Sequence, residues 1–367
     1  MSNIAIADIG SRLTGGLDAP AIDARHHGVL PLSARSPGAL RALASRFADL
    51  IGDGADPGLL AAAAWAGTPH HPYRHGVLLG EARDLIRELR RYAAGEGPDA
   101  TRVIDFRVTA PVFVFSGVGA QWWGMARELL SAQGAFAATA RAVDAGFRAA
   151  AGWSVLDELM MRSAVDPRAG SAEIAEAATV LVQLALVAEL AEFGIRPAAA
   201  FGQGVGEIAA AAATGVLSVA DAVLVACHRA RPTSPENRGA LAVLTPGPPR
   251  VPLYSTVTAA PVTAVHAGAD YWHAGLTEAP RCADTVTALA EAGHRVFLEI
   301  GPHPVLSTTI REILSVAGEP GVAVPTLDRT RSDGESLRAA LAGLYAAGAL
   351  ELATLFPAEH PSSFRSP

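Results

Sequence analysis

Reactive geometry in this chain centres on Gly202-Gln203-Gly204-Val205-Gly206. A short apolar segment, Ala198 to Phe201, runs into this glycine-bounded turn, and a helix-like run from Ile208 to Ala213 follows it. The spacing is that of a nucleophile elbow, G-x-S-x-G, in which a strained turn presents a serine hydroxyl beside a helix N-terminus. Here the serine position is Gly204. The frame of a covalent catalyst is present without its reactive atom.

The elements around the elbow alternate between strand and helix. Val29 to Ser33 reads as a strand, followed by a helix from Gly38 to Leu50 with Ser36 placed to cap it and Pro37 in its first turn. Further helices are expected over Pro57 to Trp65 and Glu81 to Ala94, with a strand at His75 to Leu79 between them. Pro111 to Phe115 is a buried-strand signal, and the glycine loop Ser116 to Ala120 opens a helix through Trp122 to Met125. A long helix covers Glu173 to Phe193, and another follows the elbow from Val219 to about Arg231. Residues 232 to 250 are a proline-rich connector with a short strand at Ala240 to Leu244. Strands at Val251 to Val257 and Arg295 to Ile300 flank a helix at Ala279 to Ala292, and a last helix spans Gly334 to Ala347. This alternation predicts a parallel α/β core whose site lies at the carboxyl ends of the strands.

Composition narrows the classes of function. The chain is 50% apolar and 18% charged, with a net charge of −7 and no block of like charges, so no nucleic-acid partner is expected. All 29 basic residues are arginine, which excludes lysine Schiff-base chemistry and suggests a GC-rich, actinobacterial genome. Cys227 and Cys282 are too far apart in sequence for a C-x-x-C site and read as small core residues. The most apolar window, Ala177 to Leu190, is interrupted by Thr179, Gln183 and Glu189 and is too short to cross a bilayer, so no membrane association is expected. The N-terminus lacks a basic start and an apolar core, which predicts a cytoplasmic protein.

From residue 29 onward the motifs, in order, resemble the acyltransferase domain of modular polyketide synthases and, more distantly, the malonyl transacylase of fatty-acid synthesis. Val29 to Leu50 and His71-Pro72-Tyr73-Arg74 are similar to the linker between ketosynthase and acyltransferase. Phe115 to Trp122 resembles the family loop F-P-G-Q-G-S-Q-W, Gly202 to Glu207 the motif G-H-S-x-G-E, and Pro252 to Thr258 the strand P-x-Y-S-T-V-T. Asp270-Tyr271-Trp272 and Glu299 to Leu306 match D-Y-W and E-x-x-P-H-P-V-L. The resemblance implies an α/β-hydrolase-like acyltransferase core with a parallel sheet and a small N-terminal α/β linker subdomain. The implied divisions are an extension at 1–28, a linker-like subdomain at 29–100, an acyltransferase-like domain at 101–312 and a linker-like tail at 313–367. With no ketosynthase ahead of it, the chain is expected to be a stand-alone piece.

In the family a serine attacks an acyl thioester, a histidine takes its proton, backbone amides hold the oxyanion and an arginine pairs with the malonyl carboxylate. On this chain the resemblance assigns the nucleophile position to Gly204, the neighbouring histidine to Gln203, and the arginine to Arg229. Oxyanion-type donors fall on the backbone of Val118 and Val205, with Ser116 and Gln121 beside the substrate. The general base belongs to a ferredoxin-like subdomain that needs roughly 60 residues at ordinary element lengths. Only 19 residues (232–250), none of them histidine, fill that interval, so the subdomain is expected to be deleted.

Ser116 and Ser255 are the nearby hydroxyls from which a substitute nucleophile could come; the alternative is that each satisfies backbone groups. Arg229 either holds a carboxylate or carbonyl, or is a relic paired with an acid such as Glu207. His303 is a tentative acid or base, or a packed turn residue. His70, His71 and His75 cluster in sequence, but the resemblance places them in the linker and no metal or cofactor is expected. The expected function is a catalytically degenerate acyltransferase homologue that docks an acyl carrier protein or a polyketide synthase module. The alternatives are a repurposed enzyme acting on a carrier-bound polyketide intermediate and, more remotely, a residual acyltransferase.

Overall fold

The computed structural model describes residues 28–66, 70–96, 101–102, 110–122, 124–161, 171–229, 239–263, 267–275 and 278–350. The expected extension at 1–28, most of the connector's first half and the end of the tail lie outside these. The chain divides into two compact units, Met1–Val108 with Phe193–Ile195 and Leu341–Pro367, and Thr109–Glu192 with Arg196–Ala340.

In the first unit β1 (Val29–Ala34) leads into α1 (Pro37–Gly52) and α2 (Pro57–Ala66), followed by β2 (Tyr73–Leu78), α3 (Ala82–Ala93) and β3 (Thr101–Arg102). Ser36 caps α1 as its position predicts, accepting from Ala39 N at 3.2 Å, with Pro37 in the first turn. The strands form an antiparallel sheet in the order β1-β2-β3. Leu30, Leu32 and Val77 from the sheet pack with Leu40, Ala44 and Phe47 of α1 and Leu85 and Leu89 of α3. Two histidines are half-buried here. His70 Nδ1 lies 2.8 Å from the Tyr345 hydroxyl, and the His75 ring stacks on Tyr92 at 4.1 Å. Among the described residues no group of three His, Cys, Asp or Glu side chains is placed to hold a metal.

The second unit begins with β4 (Val112–Phe115), then α4 (Arg127–Ser131), α5 (Ala135–Ala151), α6 (Val155–Met161) and α7 (Ala172–Glu192). β5 (Ala199–Gly202), α8 (Gly206–Thr214) and α9 (Val219–Arg229) follow, then β6 (Leu253–Tyr254), α10 (Ala269–Ala274) and α11 (Cys282–Glu291). The remaining elements are β7 (Val296–Ile300), α12 (Ser307–Val316), β8 (Val322–Pro325) and α13 (Asp333–Ala347), whose residues from Leu341 onward belong to the first unit. The strands make a parallel sheet in the order β6-β5-β4-β7-β8. β4 is therefore central, and the chain moves to one side for β5 and β6 before crossing to the other for β7. That reversal creates a crevice at the carboxyl ends of β4, β5 and β7. Val112, Val114, Phe201 and Phe297 face α11 and α12, and α7 and α8 lie against the sheet as well.

Several expected elements change. Ala240 to Leu244 is a 3-10 turn at Leu241–Val243, and the expected strand at Val251 to Val257 shrinks to Leu253–Tyr254. Prolines on either side of the turn leave it no ladder to join. The helix expected through Trp122 to Met125 is a run of turns, with α4 starting only at Arg127 after Ala126 at φ 58°. α7 is longer than the apolar window that announced it. At 21 residues it meets the length and hydropathy criteria for a membrane span, yet 61% of its most apolar window is buried within the fold. Ala177 to Leu186 is buried without interruption, which makes it a core helix. Cys227 is buried and Cys282 half-buried, and neither forms a disulfide.

Glu299, at 1% exposure, ends β7 as a buried carboxylate that accepts from Val305 N, Leu306 N, Ser307 N and the Ser307 hydroxyl at 2.6–3.0 Å. It fastens the 301–306 loop and supplies the negative charge that the N-terminus of α12 favours. Glu299→Ala should lower stability by about 3 kcal/mol, because four donors lose a charged acceptor at once. A denaturant midpoint unchanged from the native chain would contradict this.

Burial holds His70 and His75 to a pKa of about 4, below the ordinary 6.5. Folding therefore favours their neutral forms. Their contribution is complete above pH 6.5 and is lost as pH falls towards 4, by up to about 3 kcal/mol per histidine. His75→Phe, which keeps a ring against Tyr92, should flatten that part of the stability-pH curve; an unchanged slope would count against the assignment.

Candidate functional site

Three loops meet at the carboxyl ends of the central strands: Ser116 to Ala120 after β4, Gln203 to Val205 after β5, and Gly301 to Pro304 after β7. A side chain at Gly206 would run into the carbonyl of Phe115, and one at Gly202 into the backbone of Gly206 and Glu207. The strand, the turn and the first turn of α8 pass each other at backbone contact, which only glycine permits. Gly204 differs. It sits at φ +57°, and, its chain neighbours aside, the only atom of the described residues within 4 Å of an added Cβ is Arg229 Nη2 at 3.6 Å. The elbow is fully built, with space where its nucleophile would stand.

Beside it, the glycine loop touches the elbow through Gly117, where an added Cβ would lie 2.5 Å from the Gln203 carbonyl. Among the described residues the N–H groups of Val118 and Val205 have no hydrogen-bond partner. Val118 turns its side chain outward, 75% exposed. Gln121 is occupied at both ends, its Oε1 accepting from Gly119 N at 2.8 Å and its Nε2 donating to Thr179 Oγ1 at 2.9 Å. It braces the loop, leaving the backbone amides as the free donors.

Neither serine is placed to replace the missing nucleophile. Ser116 is completely buried with its hydroxyl 3.5 Å from the Ile300 carbonyl. Ser255, also completely buried, accepts from Val257 N at 3.0 Å and Thr258 N at 3.3 Å, and its oxygen lies 2.7 Å from the Tyr271 hydroxyl. Both satisfy backbone and side-chain groups of the scaffold.

Arg229, at the end of α9, does not contact Glu207, the acid the sequence suggested. Its Nε lies 3.5 Å from Glu176 Oε2, an ion pair without a well-aligned hydrogen bond, and its Nη1 donates to the Gly275 carbonyl at 3.3 Å. Burial raises the Glu176 carboxyl above its ordinary range against the opposing pull of Arg229. Glu207 is engaged elsewhere: it accepts from Thr256 N at 2.7 Å, the Thr256 hydroxyl at 2.6 Å and the Tyr271 hydroxyl at 3.0 Å. Burial raises its pKa too, while these bonds oppose the shift. The carboxylate ties the start of α8 to the end of β6.

His303 is a turn residue. Its Nδ1 is 3.4 Å from both Asp328 Oδ1 and Arg329 N, and no contact among the described residues joins it to Gln203, Gly204 or Arg229. Gln203 keeps a half-buried side-chain amide without a hydrogen-bond partner among the described residues. The structure thus gathers Gln203, Gly204, Arg229 and the two loop amides, and leaves His303 aside.

Glu176 and Gln183 were missed as site residues. Gln183 Nε2 donates to Ser116 O at 2.7 Å and Ile300 O at 3.0 Å, clamping the ends of β4 and β7 together. The signal was its polarity inside an apolar window. Thr179 and Glu189, the other interruptions, are likewise bonded, to Gln121 and to Phe136 N.

Residues 112–238 and 232–350 match the family described as the acyl transferase domain. The chain is 28% identical to a mycocerosic acid synthase-like polyketide synthase of Mycobacterium tuberculosis over 413 aligned residues, covering 89% of this chain and 19% of that protein. It is 29% identical to 5-methyl-1-naphthoate synthase of Streptomyces sahachiroi, over 87% of this chain and 23% of that one. This chain therefore spans less than a quarter of the length of these relatives. The acyltransferase domain from module 8 of the salinomycin polyketide synthase shares the fold, with a TM-score of 0.80 at 24% identity over 89% of this chain and 98% of the other. The acyl transferase domain of SpnD, solved in complex with 2-(pent-4-yn-1-yl)malonyl, gives a TM-score of 0.76 at 25% identity, over 89% and 97% of the two chains.

The contrast between the elbow glycines is testable. Gly204→Ser should fold, losing about 1–2 kcal/mol to its left-handed backbone, whereas Gly206→Ala should lose about 3 kcal/mol or more by overpacking. Equal melting temperatures for the two variants would refute the geometry.

Proposed function

Because this chain belongs to the acyl transferase domain family, we propose that it is a degenerate member of polyketide biosynthesis, one that docks a carrier protein or synthase module without transferring an acyl group. The carrying observation is the elbow itself: at Gly204 there is no hydroxyl, and, chain neighbours aside, Arg229 Nη2 is the one atom of the described residues beside the empty position. The burial of Ser116 and Ser255 supports the same reading, as does the engagement of His303 by the Asp328–Arg329 turn. Loss of nucleophile and base leaves at most the roughly 10³- to 10⁴-fold acceleration that oriented donors and binding supply.

The loss of the lid subdomain is part of this proposal. α9 ends at Arg229 and β6 begins at Leu253, too short an interval for the roughly 60 residues of four strands and two helices. Two further observations support it. The family matches in two segments that meet at 232–238, and the alignment of 413 residues to the mycobacterial relative exceeds the 367 residues of this chain, so the relative carries residues without a counterpart here. The same reading takes residues 29–100 as the linker-like subdomain.

A second reading, chemistry on a carrier-bound polyketide in the old pocket, is favoured by one observation. The Gln203 amide and the N–H groups of Val118 and Val205 are unengaged donors around one space.

Incubation with malonyl-CoA and acyl carrier protein, followed by intact mass spectrometry, should show no covalent adduct on this chain and no acyl transfer above background. Gly204→Ser should not restore turnover, since no base among the described residues stands within reach of the new hydroxyl. An adduct on the native chain, or rapid self-acylation of the variant, would overturn the proposal. Conversion of a carrier-bound intermediate without any adduct would select the second reading.

A further inference from the structure

We propose that Glu176 sets the ligand class of the elbow site, so that the space beside Gly204 takes an uncharged oxygen of an acyl or polyketide chain and refuses a dicarboxylic acyl group. The inference rests on the reading that the site holds a group without transferring it.

Two of the three guanidinium nitrogens of Arg229 face other protein groups. Glu176 stands against Nε at 3.5 Å and the Gly275 carbonyl accepts from Nη1 at 3.3 Å. Only Nη2 faces the elbow, 3.6 Å from where a Gly204 side chain would begin. Arginine selects carboxylates by presenting two parallel N–H donors to the two oxygens. With Nε turned to Glu176 and one Nη1 N–H held by Gly275, the nitrogen that faces the space is Nη2, and its N–H groups suit a carbonyl or hydroxyl oxygen.

Charge points the same way. The side chains of Arg229 and Glu176 are only 17% and 13% exposed, so solvent screens the pair little. The pair sums to zero, and Glu207, whose charge is also felt by Arg229, adds no positive charge. A malonyl-type carboxylate entering beside Nη2 would have to share one guanidinium with Glu176. Two carboxylates at one site disfavour each other's ionised forms strongly. Glu176 thus works by repulsion as much as by occupancy, which is how many sites refuse a near-isosteric ligand. Donors suited to a neutral oxygen are present: Nη2 faces Gly204, and the N–H groups of Val118 and Val205, on the loops that border the elbow, have no hydrogen-bond partner among the described residues.

The test is titration of the full chain with two hydrolysis-resistant probes, propionyl- and malonyl-pantetheine in which an amide replaces the thioester. The native chain should bind the propionyl probe at least about tenfold more tightly, the ratio expected when one extra like charge must be accommodated. Glu176→Gln, which keeps the side-chain shape, should tighten malonyl binding about tenfold or more while changing propionyl binding by less than about threefold. Equal or tighter malonyl binding by the native chain overturns the proposal without recourse to any variant. So does a probe ratio unmoved by Glu176→Gln in a variant with the native melting temperature, and so does failure of the native chain to bind either probe. These outcomes are separate from the non-transferring reading, which falls only if mass spectrometry detects acyl adduct or transfer.

Discussion

The close approach of α8 to the end of β4 is the constraint on which the site depends. Gly206 lies against the Phe115 carbonyl, and Gly202 lies against the backbone of Gly206 and Glu207, with no room for a methyl group at either. That contact fixes the angle at which the chain leaves β5 and enters the helix, and so fixes where residue 204 stands. Gln183 completes the arrangement by drawing the carbonyls of Ser116 and Ile300 together from below. None of these contacts involves the side chain at 204. The scaffold of the elbow therefore does not depend on which side chain stands at 204, and the turn holds its form around a glycine.

Buried polar groups hold the rest of the crevice. Glu299 secures the loop after β7 through four donors, and Glu207 ties the start of α8 to Thr256 and Tyr271. Each carboxylate is surrounded by donors, as burial of a charge requires. Both look chemically available in the sequence, and both are spent on structure. Arg229 is different because its partners leave Nη2 unspent.

Local chemistry was legible where it was categorical. Ser36-Pro37 marked the start of α1, alternating strand and helix signals gave the parallel sheet, and the glycine spacing gave the elbow. Legibility failed where alanine and glycine blur periodicity. α5, Ala135–Ala151, is rich in alanine and β8, Val322–Pro325, lies hidden among Gly and Pro, whereas α12, Ser307–Val316, is short and opens on Ser-Thr-Thr, a weak helix start. Ala240 to Leu244 has the apolar character of a strand but no neighbour to pair with, which sequence does not reveal. Glu176 escaped notice for another reason: it lies in the first turns of α7, 53 residues before Arg229, and only the fold brings the two together.

Taken with the proposed loss of the lid, the charge arrangement at Arg229 bears on why a cationic side chain should persist in a site without chemistry. A lone buried guanidinium is costly, and removing its former ligand without replacement would leave that cost unopposed. Glu176 and the Gly275 carbonyl supply compensation from within the protein, so Arg229 no longer needs a bound carboxylate to be tolerated. The same compensation changes what the remaining donor is suited to. An arginine ion-paired to Glu176 with Nη2 turned to the elbow, together with bordering loops where two backbone amides are unengaged among the described residues, presents donors without presenting net charge. On the proposed reading, the degenerate elbow is a site for holding a neutral oxygen, and the substitution that removed attack at Gly204 also made the space that such a group would occupy.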